Sequence, residues 1–260
     1  MSSWIIAKNL PKKKKVVITN YHDATNVADV PKLYMEYLAS YIYNTKMGEQ
    51  FNVLDSTGIL RNTLRVAPHV RLLKEPVEDA SANTVGTYAP IISKLKFKDV
   101  QKFAADVLFY ESDFNRSVVR VIERVGIKTV FDIGIHLVKD ITGPNLPAFK
   151  LYSEQLKEYQ KKSKKASLSI YMMSDSYSVV TQFQAYCDPS WKIISLSKTQ
   201  PVTPDEQIIQ TMADIQIMSA LPSLVLDFTR STDRFIYMMQ RNKNGLEYFA
   251  EVKGREWSLL

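Results

Sequence analysis

The chain has 260 residues, 45% hydrophobic and 23% charged, with a net charge of +7, which leaves room for one large domain or two modest ones and excludes a chain too polar to fold. Its single cysteine excludes an intrachain disulfide, and no Cys/His spacing matches a zinc site. The basic excess suits nucleic acid, a membrane surface or a phosphorylated small molecule equally, and much of it sits in the runs PKKKK (11–15) and KKSKK (161–165), a pattern that usually forms solvated faces.

The start, MSSWIIAKNLPKKKK, holds only the apolar triplet WII, far short of the about 7 to 15 apolar residues of a signal peptide or the roughly 20 of a membrane span. The expectation is a soluble, cytoplasmic protein with no membrane span. KVVITNY (15–21) reads as a strand, followed by a polar loop and a helix over PKLYMEYLASYIYNTKM, where Tyr34, Tyr37, Leu38, Tyr41 and Ile42 recur at helical spacing. FNVLDSTGIL and PHVRLLKEP read as two further strand regions. KDVQKFAADVLFYES and NRSVVRVIERVG read as helices, the second closed by Gly126.

After Gly126 four strands, TVFDIGIHLV, SLSIYMM, KIISLS and SLVLDF, alternate with four helices, FKLYSEQLKEYQKKS, YSVVTQFQAYC, PDEQIIQTMADIQIMSA and DRFIYMMQRN. Continuous apolar strands separated by helices predict a parallel sheet covered on both faces. The reading is α/β with two Rossmann-like domains, 1–126 and 127–260. No solenoid repeat is visible.

In such sheets ligands lie at the carboxyl ends of the strands, where the strand order reverses. Those ends carry Asn20 to Asp23 after the first strand, His136, Lys139 and Asp140 after TVFDIGIHLV, Ser174 to Ser176 after SIYMM, and Asp227 to Thr232 after SLVLDF. Neither G-x-G-x-x-G nor G-x-x-x-x-G-K-[ST] occurs, which argues against hydride transfer and P-loop chemistry. In DFTRSTDRF a strand runs through a Thr/Ser-rich turn into a helix, whose free N–H groups suit a phosphate; Ser231 or Thr232 can add a hydroxyl and Arg230 or Arg234 a charge. The plainer alternative is that Ser231 or Thr232 only caps the helix. Asp175 in MMSDSYS can likewise accept hydrogen bonds from a base or ribose, or serve as a cap. A lone histidine on an apolar strand is more often a satisfied core residue, but His136 ends its strand beside a Lys-Asp pair.

FDIGIHLVKD, SIYMMSDS and DIQIMSALPSLVLDFTRSTDRF, in that order, resemble the motifs of the fucosyltransferases that include the α1,6-fucosyltransferases, the NodZ enzymes and the protein O-fucosyltransferases. The resemblance covers roughly residues 128 to 240. It implies the GT-B architecture, two Rossmann-like domains facing a cleft, with the donor held by the second and the acceptor by the first. Gly134 and His136 match the family's Gly and His, Asp175 its base- or ribose-binding carboxylate, Ser231 and Thr232 its phosphate-binding hydroxyls, and Arg234 the arginine opening its last helix. The chain departs from the family where a donor-phosphate arginine is expected, having Val138 with Lys139 beside it; lysine offers a point charge without the bidentate fork.

The activity this implies is transfer of fucose or xylose, from GDP-fucose or UDP-xylose, to a hydroxyl of an oligosaccharide or glycoprotein glycan. No metal is expected, since helix dipoles and basic side chains neutralise the leaving diphosphate. His136, Lys139 and Arg230 are then donor contacts, with Asp140 holding the lysine or a loop amide. Asp23 or His22 is the expected base, ahead of Asp55 and Glu78; the alternative is a polar loop that caps the next helix. In its compact length the chain also resembles the small soluble glycosyltransferases of large algal viruses. Two other readings remain: a non-catalytic relative of the same fold, and a basic nucleic-acid-binding protein, disfavoured because the lysine runs lack interleaved aromatics.

Overall fold

The computed structural model describes residues 16–19, 30–47, 51–55, 58–66, 70–73, 82–83, 94–124, 130–139, 146–198, 203–241 and 245–259. The lysine run at 11–15, Asn20 to Asp23, Glu78 and Asp140 lie outside them. The chain forms two compact units, Met1–Asn115 with Trp257–Leu260, and Arg116–Glu256.

The first unit is built on a parallel sheet of β1 (Val16–Thr19), β2 (Phe51–Leu54), β3 (Val70–Leu73) and β4 (Ala82–Asn83), in the order β3-β2-β1-β4. Between β1 and β2 runs α1 (Val30–Met47), in which Tyr34, Tyr37, Leu38 and Ile42 are fully buried. Buried polar groups on it must find partners. Tyr34 donates to Thr63 Oγ1 at 2.6 Å, and the Thr63 hydroxyl donates to the Ile59 carbonyl at 2.6 Å. FNVLDSTGIL is extended only through Leu54. The carboxylate of Asp55 accepts from the Arg61 amide at 2.9 Å and the Leu60 amide at 3.3 Å, and Gly58 adopts the left-handed φ of 74°, so the chain turns into a short helix, α2 (Ile59–Thr63). The unit also holds α3 (Phe97–Val107).

Helix α4 (Ser112–Arg124) straddles the division between the units. The second unit continues with β5 (Ile133–His136), α5 (Leu146–Ser163), β6 (Ser169–Met173), α6 (Tyr177–Tyr186), β7 (Lys192–Ile194), α7 (Pro204–Met218), β8 (Ser223–Leu226), α8 (Ser231–Met238) and β9 (Tyr248–Glu251). Its sheet is wholly parallel, in the order β7-β6-β5-β8-β9. The alternation expected after Gly126 is therefore present, with one strand more: β9 is a half-buried edge strand whose weak pattern gave no signal in the sequence. Helix α7 opens with a capping box, Thr203 Oγ1 accepting from the Glu206 amide at 3.2 Å and Glu206 Oε2 accepting from the Thr203 amide at 3.1 Å.

Residues of β5 and β8 are buried throughout, and alternation sends them to two faces. Ile133, Ile135 and Leu137 share a core with Phe149, Tyr152, Leu156 and Tyr159 of α5 and with Val179, Val180 and Phe183 of α6. The opposite face carries Gly134, paired in register with Tyr171 and Leu224, and two residues on, His136. A Cβ on Gly134 would come within 2.6 Å of Met218 Sδ, 2.7 Å of Leu221 Cδ1 and 3.0 Å of Leu224 Cδ2. The glycine that fits the fucosyltransferase motif thus has a packing reason here. Gly134→Ala is expected to lower stability by about 1 to 3 kcal/mol, the usual cost of overpacking a dense core, read as a lower urea midpoint with an unchanged slope.

Candidate functional site

From β5 the chain steps outward to β6 and β7; α7 then returns it to the other side of β5, where β8 and β9 follow. The strand order therefore reverses between β5 and β8, and their carboxyl ends define the place where an open parallel sheet receives a ligand. Among the residues expected there, His136 to Lys139 follow from β5, Ser174 to Ser176 from β6, and Asp227 to Thr232 from β8. A shallow apolar hollow touched by Val130, Phe131, Leu221 and Pro222 lies at the opposite edge, before β5 and β8 begin.

His136 is only 4% exposed and its Nδ1 pairs with Oδ1 of Asp233, the third residue of α8, which is fully buried. Oδ2 of Asp233 accepts the amide of Asp227, the residue after β8, at 2.8 Å. The His136 carbonyl accepts the hydroxyl of Tyr152 at 2.7 Å. The ring expected to face the donor directly is thus engaged with α8.

Asp227, 2% exposed, is the second anchor. Its Oδ1 accepts from the Thr229 amide at 3.0 Å and the Thr229 hydroxyl at 2.6 Å, and its Oδ2 lies 2.9 Å from Lys253 Nζ and 3.8 Å from Arg230 Nε. Burial works to raise its pKa, but the Thr229 and Lys253 interactions outweigh it and hold the carboxyl below the ordinary value. Glu251, at the end of β9, accepts the Phe228 amide at 2.9 Å and the Lys253 and Arg255 amides at 2.8 Å each. The sequence places Asp227 at the end of its strand without giving it a role, and Asp233, Glu251 and Lys253 were not singled out from it. Asp233 was masked by its ordinary look as an acid in a first helical turn, and Glu251 and Lys253 belong to the unrecognised β9.

Asp175 neither caps α6 nor stands apart from β5. The cap position is Ser176, without a side-chain cap bond, and Asp175 Oδ1 accepts the amide of Lys139 at 2.8 Å. This ties the β5 and β6 loops together and leaves the Lys139 residue exposed. Asp175 thus holds a loop amide, while Asp140, of which such a role is expected, lies outside the described residues.

Helix α8 begins at Ser231, with Arg230 at the N-cap and no side-chain cap bond. Neither Ser231 nor Thr232 caps it. Thr232 is buried, Ser231 partly exposed, and Arg234 half-buried, its guanidinium pKa lowered by desolvation. Arg230 Nη1 is buried with no hydrogen-bond partner among the described residues. The guanidinium is close enough to Tyr152, which bonds the end of β5, for its charge to act on that phenol. Among the described residues no group of His, Cys, Asp and Glu is placed to hold a metal, and no helix is long and apolar enough to cross a membrane.

On the same face of the sheet as His136, Tyr171 donates to Asp214 Oδ1 of α7 at 2.5 Å. Asp214 is 3% exposed. Desolvation pushes its pKa up to about 7 against the opposing effects of the Tyr171 hydrogen bond and the nearby His136.

No family model matches the chain, and no curated protein matches its sequence. Solved structures do match its fold. The fucosyltransferase NodZ from Bradyrhizobium shares 11% identity over 87% of this chain and 93% of its own, with a TM-score of 0.55. NodZ α-1,6-fucosyltransferase soaked with GDP-fucose shares 9% over 88% of this chain and 93% of its own, at 0.55. A mutant of Arabidopsis thaliana FUT1 in complex with GDP shares 10% over 91% of this chain and 70% of its own, at 0.59. The chain has the GT-B fucosyltransferase-like fold.

Asp214 gives a pH prediction. Between the ordinary 3.8 and about 7 the folded carboxyl keeps a proton that the unfolded one has lost, so its contribution is fully present at low pH and fades as pH rises through 7. Asp214→Asn keeps an acceptor for Tyr171 without ionising. Relative to the unaltered protein the variant should gain stability from pH 4 to pH 8, by at most about 4 kcal/mol at 1.36 kcal/mol per tenfold change in proton affinity. Urea unfolding of both proteins across that range is the check.

Proposed function

We propose that the chain is a glycosyltransferase that binds a nucleotide sugar between the ends of β5 and β8 and passes the sugar to a hydroxyl of a glycan. The observation that carries this reading is Arg230. A buried guanidinium N–H without a partner, at the uncapped amino end of α8 and beside the end of β5, is a donor in want of an acceptor. A diphosphate offers that acceptor with negative charge, and an arginine fork matches its oxygens.

The structural relatives lend the donor a name, since NodZ was soaked with GDP-fucose and the FUT1 mutant was bound to GDP. GDP-fucose is the donor proposed first, with UDP-xylose second, because Val138, two residues after β5, stands where the related motif carries an arginine. In the proposed reaction the bond between the anomeric carbon and the diphosphate oxygen breaks as the acceptor oxygen bonds that carbon, inverting it. His22 or Asp23 takes the hydroxyl proton. The electron pair leaves with the diphosphate, whose charge is met by Arg230, Lys139 and the first amides of α8 rather than by a metal. Ser231, Thr232 and Arg234 are proposed as further contacts to it, and Asp175 orders the Lys139 loop from below.

Val138 favours a second reading, a relative that binds nucleotide but transfers nothing. The polyanion alternative loses support at the run 161–165, where Lys162 pairs with Glu158 at 2.7 Å and Lys165 with Asp132 at 2.6 Å.

Thermal-shift and ligand-observed NMR measurements with GDP, UDP, GDP-fucose, UDP-xylose and an oligonucleotide test the reading. Selective stabilisation by GDP and GDP-fucose is expected. Arg230→Ala should weaken GDP at least tenfold while moving Tm by only a few degrees, because the side chain is about one-third exposed (32%) and its nearest charged contact, Asp227, keeps Lys253. Binding of the oligonucleotide alone would end the transferase reading; GDP binding without release of sugar from GDP-fucose in the presence of glycans would leave the non-catalytic one.

A further inference from the structure

We infer that Asp233 is a positioning residue, which holds the amino end of α8 at the ends of β5 and β8 while leaving the helix's own amides unspent. This rests on the nucleotide reading above and concerns how the same site is built. An acidic residue at the third helical position ordinarily folds back to the N-cap amide of its own helix. Asp233 does not. Its two oxygens go to His136 Nδ1 on β5 and to the amide of Asp227 after β8, and the cap residue Arg230 has no side-chain cap bond. The carboxylate, fully buried, therefore spans both sides of the point where the strand order reverses.

The consequence for a ligand has a definite sign. Taken as bare charge, a carboxylate in the first turn opposes an anion at the helix terminus. Taken as a clamp, it favours the anion by fixing where the first amides and Arg230 stand, since a polar site displaced by about 1 Å loses much of its effect. The two roles predict opposite changes when the charge is removed. Asp233→Leu, of similar size, removes the charge and offers neither His136 nor the Asp227 amide an acceptor, whereas asparagine could hold both by donating to an imidazole protonated on Nε2 alone.

The closing experiment measures GDP affinity by isothermal titration calorimetry, with Tm and near-UV circular dichroism recorded for each variant. Asp233→Leu is expected to weaken GDP at least tenfold. The pair His136→Ala and His136→Asn works on the other arm and keeps the question decidable if Asp233→Leu fails to fold. Asparagine places its amide nitrogen near the position of the imidazole Nδ1 and restores a donor to Asp233, so His136→Asn should bind GDP within about threefold of the unaltered protein and His136→Ala at least tenfold more weakly. Unchanged or tighter GDP binding by Asp233→Leu, or equal affinity of the two His136 variants, would overturn the clamp whatever happens to Tm. If the unaltered protein binds neither GDP nor UDP, the nucleotide reading falls and takes the clamp with it, whereas binding that survives every variant removes the clamp alone.

Discussion

Two buried carboxylates, Asp227 and Asp233, set the terms on which the second unit is built. They are 2% and 0% exposed, at the edge of a sheet whose central strands are covered on both faces. A carboxylate in such a place costs several kcal/mol unless donors converge on it. The donors come from separate elements: the imidazole of His136, the amides of Asp227 and Thr229, the Thr229 hydroxyl and Lys253. Satisfying the acids thus requires β5, β8, α8 and the segment after β9 to take up one arrangement. That net coincides with the reversal of strand order, where the fold admits a ligand.

The fold was readable because both signals it rests on are local. Apolar strands separated by amphipathic helices fix a parallel sheet, and a Thr-Pro-Asp-Glu start fixes α7 through its capping box. The edge strand β9 was missed because an edge strand is buried on neither face as deeply as a central one, so YFAE carries no continuous apolar run. FNVLDSTGIL misled for a related reason. Hydrophobic residues on either side of a turn resemble one long strand, and only the left-handed Gly58 with the Asp55 carboxylate shows where the chain bends.

For the site, the positions were legible and the pairings were not. Strand ends announce themselves as polar residues after apolar runs, which is how His136, Lys139, Asp175 and Arg230 were found. What each side chain does depends on partners as far apart in sequence as His136 and Asp233, which are 97 positions apart along the chain. His136 shows the difference. Its place at the end of β5 suggests a ligand contact, and the structure buries it against Asp233 of α8. Asp175 likewise carries the Lys139 amide, a contact across 36 residues that no spacing rule announces.

The charges around the switch point do not cancel evenly. Asp227 draws on Lys253, and Asp233 on His136, while Glu251 is filled by backbone amides. Arg230 contributes one long contact to Asp227 at 3.8 Å and keeps a buried N–H with no acceptor among the described residues. A buried donor left unmatched costs roughly 1 to 3 kcal/mol, and an anion that supplies the acceptor recovers that cost only in the folded state. Ligand binding and folding stability are linked by this difference, with a gain of about 2.7 kcal/mol at a hundredfold excess over Kd. An underlayer of acids that consumes the lysine and the histidine, and leaves one arginine N–H unmatched, is therefore an arrangement that the proposed anion would stabilise further.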